Sequence, residues 1–202
     1  MADGRAAVVV PGLFYSADGP LLMYAGLAVE RRGGSVRRIS WTVPQFGGGD
    51  DERAWVAARV GEAVDAVLAA TNVAAPVVIG KSLGSLAAPV AADRGLPAVW
   101  LTPILTDELT VAALRRAAPP CLLIGGTADK AWDGQLARSL TPYVLEIDGA
   151  DHGMFVPRAP IGLRRGSRPG DNDCGELPRP PGMAAEQRAR QQLSQPSRGV
   201  TA

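Results

Sequence analysis

Pro76-Val77-Val78-Ile79-Gly80-Lys81-Ser82-Leu83-Gly84 reads as a strand that runs straight into a tight turn. Its apolar start suits a strand buried on both faces, and the run from Leu83 to Asp93 beyond the turn reads as a helix. Between them lies Gly-x-Ser-x-Gly, the pattern of a turn that lifts a serine hydroxyl above a sheet edge. The serine takes a strained backbone conformation, and side chains two residues before and after it would strike neighbouring backbone; both positions are glycine. Ser82 also opens a helix, where free amides favour developing negative charge. Gly80-Lys81-Ser82 matches the end of a phosphate-binding loop as well, but that pattern requires glycine at position 75, which is Ala75. With residues 76–79 in a strand, no loop remains to wrap a phosphate.

The same alternation of apolar run and amphipathic stretch recurs on both sides, which is how repeated βα units around a parallel sheet are written in sequence. Strands are expected at residues 6–10, 36–41, 77–79, 98–101, 121–125 and 143–147, and helices at about 18–32, 51–71, 83–93, 107–117 and 132–140. The second helix is the clearest: Trp55, Val56, Val60, Val64, Val67 and Leu68 recur at helical spacing after the acidic start Asp50, Asp51, Glu52. Asp18-Gly19-Pro20 suits a helix start and Gly33-Gly34 a helix end, while Pro89 should bend the helix that contains it. The fold class is therefore α/β, with about six mostly parallel strands and helices on both faces.

A serine nucleophile needs a base, and the chain has 1 histidine, His152, directly beyond the last expected strand. Loops at the carboxyl ends of parallel strands gather functional residues, and Ser82 and His152 both fall there. A carboxylate to orient the imidazole should come from the same edge. Asp129 does, after Gly125-Gly126-Thr127-Ala128, and Asp107 is the reserve; Asp148 and Asp151 lie so near His152 that turn formation explains them. Amide donors for an oxyanion are expected from Leu83 and, across the loop Pro11-Gly12-Leu13, from Leu13. Phe14, Tyr15, Trp132 and Met154 flank this constellation, where lining a pocket and ordinary packing are both open readings.

With these residues assembled, the sequence resembles the α/β-hydrolase superfamily, in particular its small cytosolic members without a lid. The matching pieces are Val-Pro-Gly-Leu at 10–13, Gly-Lys-Ser-Leu-Gly at 80–84, Gly-Gly-Thr-Ala-Asp at 125–129 and Gly-Ala-Asp-His at 149–152. The resemblance implies a Ser82, Asp129, His152 triad, an oxyanion hole from the Leu13 and Leu83 amides, and hydrolysis of a small acyl ester or related carbonyl compound without a cofactor. Two departures stand out: Pro11 occupies a position where many members have histidine, and no clear amphipathic helix closes the sheet after His152. The missing helix keeps in view a non-catalytic binding protein of the same fold, and an acyltransferase using the same triad is a further alternative.

Composition bounds the partners. The 202 residues carry a formal net charge of +1, a weak footprint for nucleic acid or an anionic membrane, so a small-molecule substrate is expected. One histidine and 2 cysteines, Cys121 and Cys174, leave little for a structural zinc site or a disulfide framework. Residues 157–202 hold 8 arginines against 4 acids, with 7 prolines, 6 glycines and no aromatic residue. This contrast predicts a hydrolase-like domain over 1–156 and a disordered tail over 157–202, where only 183–193 has helical character. Without an export signal or a run long enough to span a bilayer, the expected location is cytoplasmic.

Overall fold

Five apolar residues, Ala6–Val10, form β1, buried along its whole length because both faces of the sheet meet packed side chains. The computed structural model describes residues 4–47 and 49–157. After β1 come α1 (Pro20–Glu30), β2 (Ser35–Arg38), α2 (Gly49–Ala70), β3 (Val77–Lys81), a 3-10 turn (Ser82–Ala87) and α3 (Ala88–Asp93). β4 (Ala98–Leu101), α4 (Glu108–Arg116), β5 (Leu122–Gly126), α5 (Gly134–Leu140) and β6 (Tyr143–Ile147) follow. The six strands pair in the order β2-β1-β3-β4-β5-β6, every pair parallel.

Alternate residues of the central strands feed two layers of core. Val8, Val10 and Val78 pack with Val56, Val60 and Val64 of α2 and with Leu114 of α4, while Val9 and Ile79 pack with Leu22 of α1. Helices thus lie on both faces, with α1 alone on the second face among the described residues. Beside α1, an apolar groove of about 490 Å³ is lined by Val77, Ile79, Val99, Leu122 and Ile124. Cys121 is buried, and burial pushes its thiol up to about 11. No helix among the described residues is long and apolar enough to cross a membrane.

Three expectations are corrected in detail. β2 ends at Arg38 rather than 41, because Trp41 is drawn away: its indole packs 5.0 Å from the Trp55 ring, and its Nε1 donates to the Gly12 carbonyl at 3.3 Å. The helix expected over 83–93 divides into the 3-10 turn and α3. Pro89, which lacks the N–H an interior position needs, sits in the first turn of α3, where that donor is not missed. The expectation of about six mostly parallel strands holds: the described residues form six, every pair parallel. The tail expected over 157–202, with Cys174, lies outside the described residues from position 158 onward.

Candidate active site

β3 delivers Ser82 to the carboxyl edge of the sheet with φ at 50°, a left-handed conformation that costs a non-glycine residue about 1–3 kcal/mol. The cost is sustained by close packing around the turn. A Cβ on Gly84 would lie 2.9 Å from the carbonyl oxygens of both Val10 and Pro11, and one on Gly80 would lie 2.6 Å from the Trp100 ring. The two oxygens at Gly84 are backbone and cannot swing aside. Gly84→Ala should therefore lower stability by about 1–3 kcal/mol, read as a fall in Tm by circular dichroism.

Beyond β6, the chain turns back toward Ser82. The carboxylate of Asp151 accepts from the amides of Gly153 at 2.8 Å and Phe155 at 3.0 Å, shaping a tight turn in which Met154 has φ at 63°. This turn presents His152, whose Nε2 lies 2.8 Å from Ser82 Oγ and whose Nδ1 lies 2.7 Å from Asp129 Oδ2. A carboxylate can only accept, so Nδ1 carries the proton and Nε2 is left to accept from the serine hydroxyl. Asp129 reaches this position from the turn after β5, and its other oxygen accepts from the Ala131 amide at 2.9 Å. Its side chain is 2% exposed against 42% for His152: the carboxylate is held in protein and the imidazole faces the cleft.

Asp107, the reserve acid, is not part of this chain of contacts. It caps α4 by accepting from the Thr110 amide at 2.8 Å and pairs with Arg53 at 2.6 Å, so both of its oxygens are engaged elsewhere. Asp148 accepts from Thr127 Oγ1 at 2.9 Å and, like Asp151, serves a turn. Leu83 is the second residue of the 3-10 turn, a position whose amide the turn leaves free. Leu13 follows Gly12, at which a Cβ would stand 3.6 Å from the Ser82 Cβ, so its loop lies against the serine. Of the flanking aromatics, Trp132 donates to Glu146 at 2.7 Å and fills the space above Gly125, a packing role. Phe14 is 96% exposed.

A cleft of about 560 Å³ opens on this constellation, lined by Ser82, Ile104, Asp129, Lys130, His152 and Gly153 among others. Two further residues converge here without having been singled out in the sequence. Lys81 is 3% exposed, its ammonium buried behind the serine, and Thr102 is fully buried with φ at 44° at the end of β4. The one sequence signal for Lys81 is a charged residue at the end of an apolar strand, and charge alone does not reveal burial.

No protein-family model and no curated protein matches the chain. Solved structures do. A protein of unknown function from Agrobacterium tumefaciens, classed with the α/β-hydrolases, superposes with a TM-score of 0.60 at 16% identity, covering 76% of this chain and 78% of its own. A serine hydrolase homologue from Coxiella burnetii gives 0.57 at 15% identity, over 74% and 77%. A lidless serine hydrolase from Xanthomonas campestris gives 0.55 at 18% identity, over 76% and 75%. With six parallel strands in this order and helices on both faces, the described part of the chain has the α/β-hydrolase fold.

Proposed function

We propose that the chain is a serine hydrolase that cleaves a small acyl ester or related carbonyl compound through an acyl-enzyme intermediate. The observation that carries this reading is the unbroken hydrogen-bond series from Ser82 through His152 to Asp129 beside an open cleft. In the first half-reaction, His152 Nε2 takes the hydroxyl proton as Ser82 Oγ attacks the carbonyl carbon, and Asp129 stabilises the imidazolium. The amides of Leu13 and Leu83 hold the oxyanion. His152 then gives the proton to the departing alkoxide. Water, deprotonated by the same nitrogen, attacks the acyl-serine, and release of the acid restores the hydroxyl.

The reaction falls within residues 1–156 and asks for no metal or organic cofactor. Connections between β4, β5 and β6 consist of α4 and α5 with short loops, which leaves room for an open mouth and a small or extended substrate. The binding-protein alternative depends on a displaced histidine loop, and contacts of 2.7 and 2.8 Å weigh against it. Labelling with a fluorophosphonate tests the reading. Modification at Ser82 is expected in the native protein and absent in Ser82→Ala; a folded native protein that does not label would overturn it. Short- and long-chain esters, with and without an alcohol acceptor, then separate hydrolysis from acyl transfer.

A further inference from the structure

Lys81 ends β3 immediately before the serine, and its ammonium is directed away from solvent. Nζ donates to the backbone carbonyl of His152 at 3.0 Å and to Thr102 Oγ1 at 3.1 Å, and lies 4.9 Å from the centre of the Tyr15 ring. Among the described residues it forms no salt bridge. Burial pushes the ammonium below the usual lysine range, opposed by the more distant charges of Asp129 and Asp151. A cation so placed is a poor device for stability, since two neutral acceptors and a ring replace only part of its hydration.

The turn it touches has few other anchors. Among the described residues, the hydrogen bonds of 151–155 are internal except for three: the two of the imidazole, and the His152 carbonyl to Lys81. Lys81 thus supplies the one backbone tie from this turn to the sheet among the described residues, while the imidazole itself is 42% exposed. We propose that Lys81 is a positioning residue, holding the His152 loop in register with Ser82 by tying the His152 carbonyl to the end of β3 through an ammonium that is itself fixed by Thr102 Oγ1. The proposal rests on the serine hydrolase reading above.

Lys81→Met keeps the length of the stem and removes every donor; Lys81→Gln keeps a neutral one. With p-nitrophenyl acetate, Lys81→Met should lose about 100-fold in kcat, the scale set by a 1 Å misplacement, with little change in KM. A second readout does not need turnover. The chain has 1 histidine, so the hydrogen-bonded Nδ1–H of His152 is an unambiguous downfield proton resonance. It should broaden or vanish in Lys81→Met and persist in Lys81→Gln, both variants being folded by circular dichroism. Parent-like kcat and resonance in Lys81→Met would overturn the proposal while leaving the hydrolase reading intact. If the native protein neither labels nor turns over, that reading falls and the resonance alone decides for or against Lys81. Global unfolding of both variants would also overturn it, assigning Lys81 to the core.

Discussion

His152→Ala lowers kcat for a short-chain ester by about 10⁶-fold, and the double variant Ser82→Ala with His152→Ala loses no more than either change alone. The expectation follows from the geometry at Nε2, 2.8 Å from Ser82 Oγ. A serine hydroxyl is a weak nucleophile until its proton has somewhere to go. The full chain has 1 histidine, so no second imidazole can step in. What survives is the contribution of the amide donors and of binding, which do not depend on the base. Steady-state kinetics on the three variants check this; additive losses would mean that Ser82 and His152 do not act as one unit.

Asp129→Asn lowers kcat by about 10⁴-fold with little loss of fold. The two oxygens of Asp129 have different partners: one accepts from the Ala131 amide at 2.9 Å, the other faces His152 Nδ1 at 2.7 Å. Asparagine has one acceptor for these two donors. Its carbonyl satisfies the buried Ala131 amide, and its NH₂ then faces Nδ1. The imidazole must flip its tautomer to accept there, which places the proton on Nε2 and removes the lone pair that Ser82 needs. A loss in kcat with an unchanged melting curve is the expected pair of measurements. An unchanged rate would show that Asp129 is a structural carboxylate and that the imidazole is oriented by other contacts.

Much of this arrangement was legible before any coordinates. Strands at 6–10, 98–101 and 143–147 stand where the apolar runs place them; the first two are largely buried, where parallel strands leave little room for polar interruption, whereas the third is an edge strand whose Tyr143, Leu145 and Ile147 stay exposed. Ser82, Asp129 and His152 could be located because a parallel sheet sends every functional loop to one edge, and the chain offers few candidates there. The reserve acid Asp107 could not be dismissed from sequence, since its competing partner Arg53 is 54 residues away and on another helix. The sequence extends β2 to 41 for a similar reason: Trp41 has a strand-like residue type, and the Trp55 ring that claims it is invisible to a local pattern. In the sequence Lys81 is one letter of a motif. Its burial depends on Thr102, Tyr15 and the His152 carbonyl, three groups that only the fold brings together.

The order in which the strands are strung has a kinetic consequence. Ser82 and His152 are 70 residues apart in the chain, and each parallel pairing between them must close a loop through an intervening helix before it gains anything. Helices and the β1–β3 pair can assemble while β6 is still unplaced, but the imidazole cannot meet the hydroxyl until β3, β4, β5 and β6 are all in line. During refolding, therefore, far-UV ellipticity recovers first and reactivity of Ser82 toward a fluorophosphonate recovers last, so the rate of labelling serves as a clock for completion of the sheet.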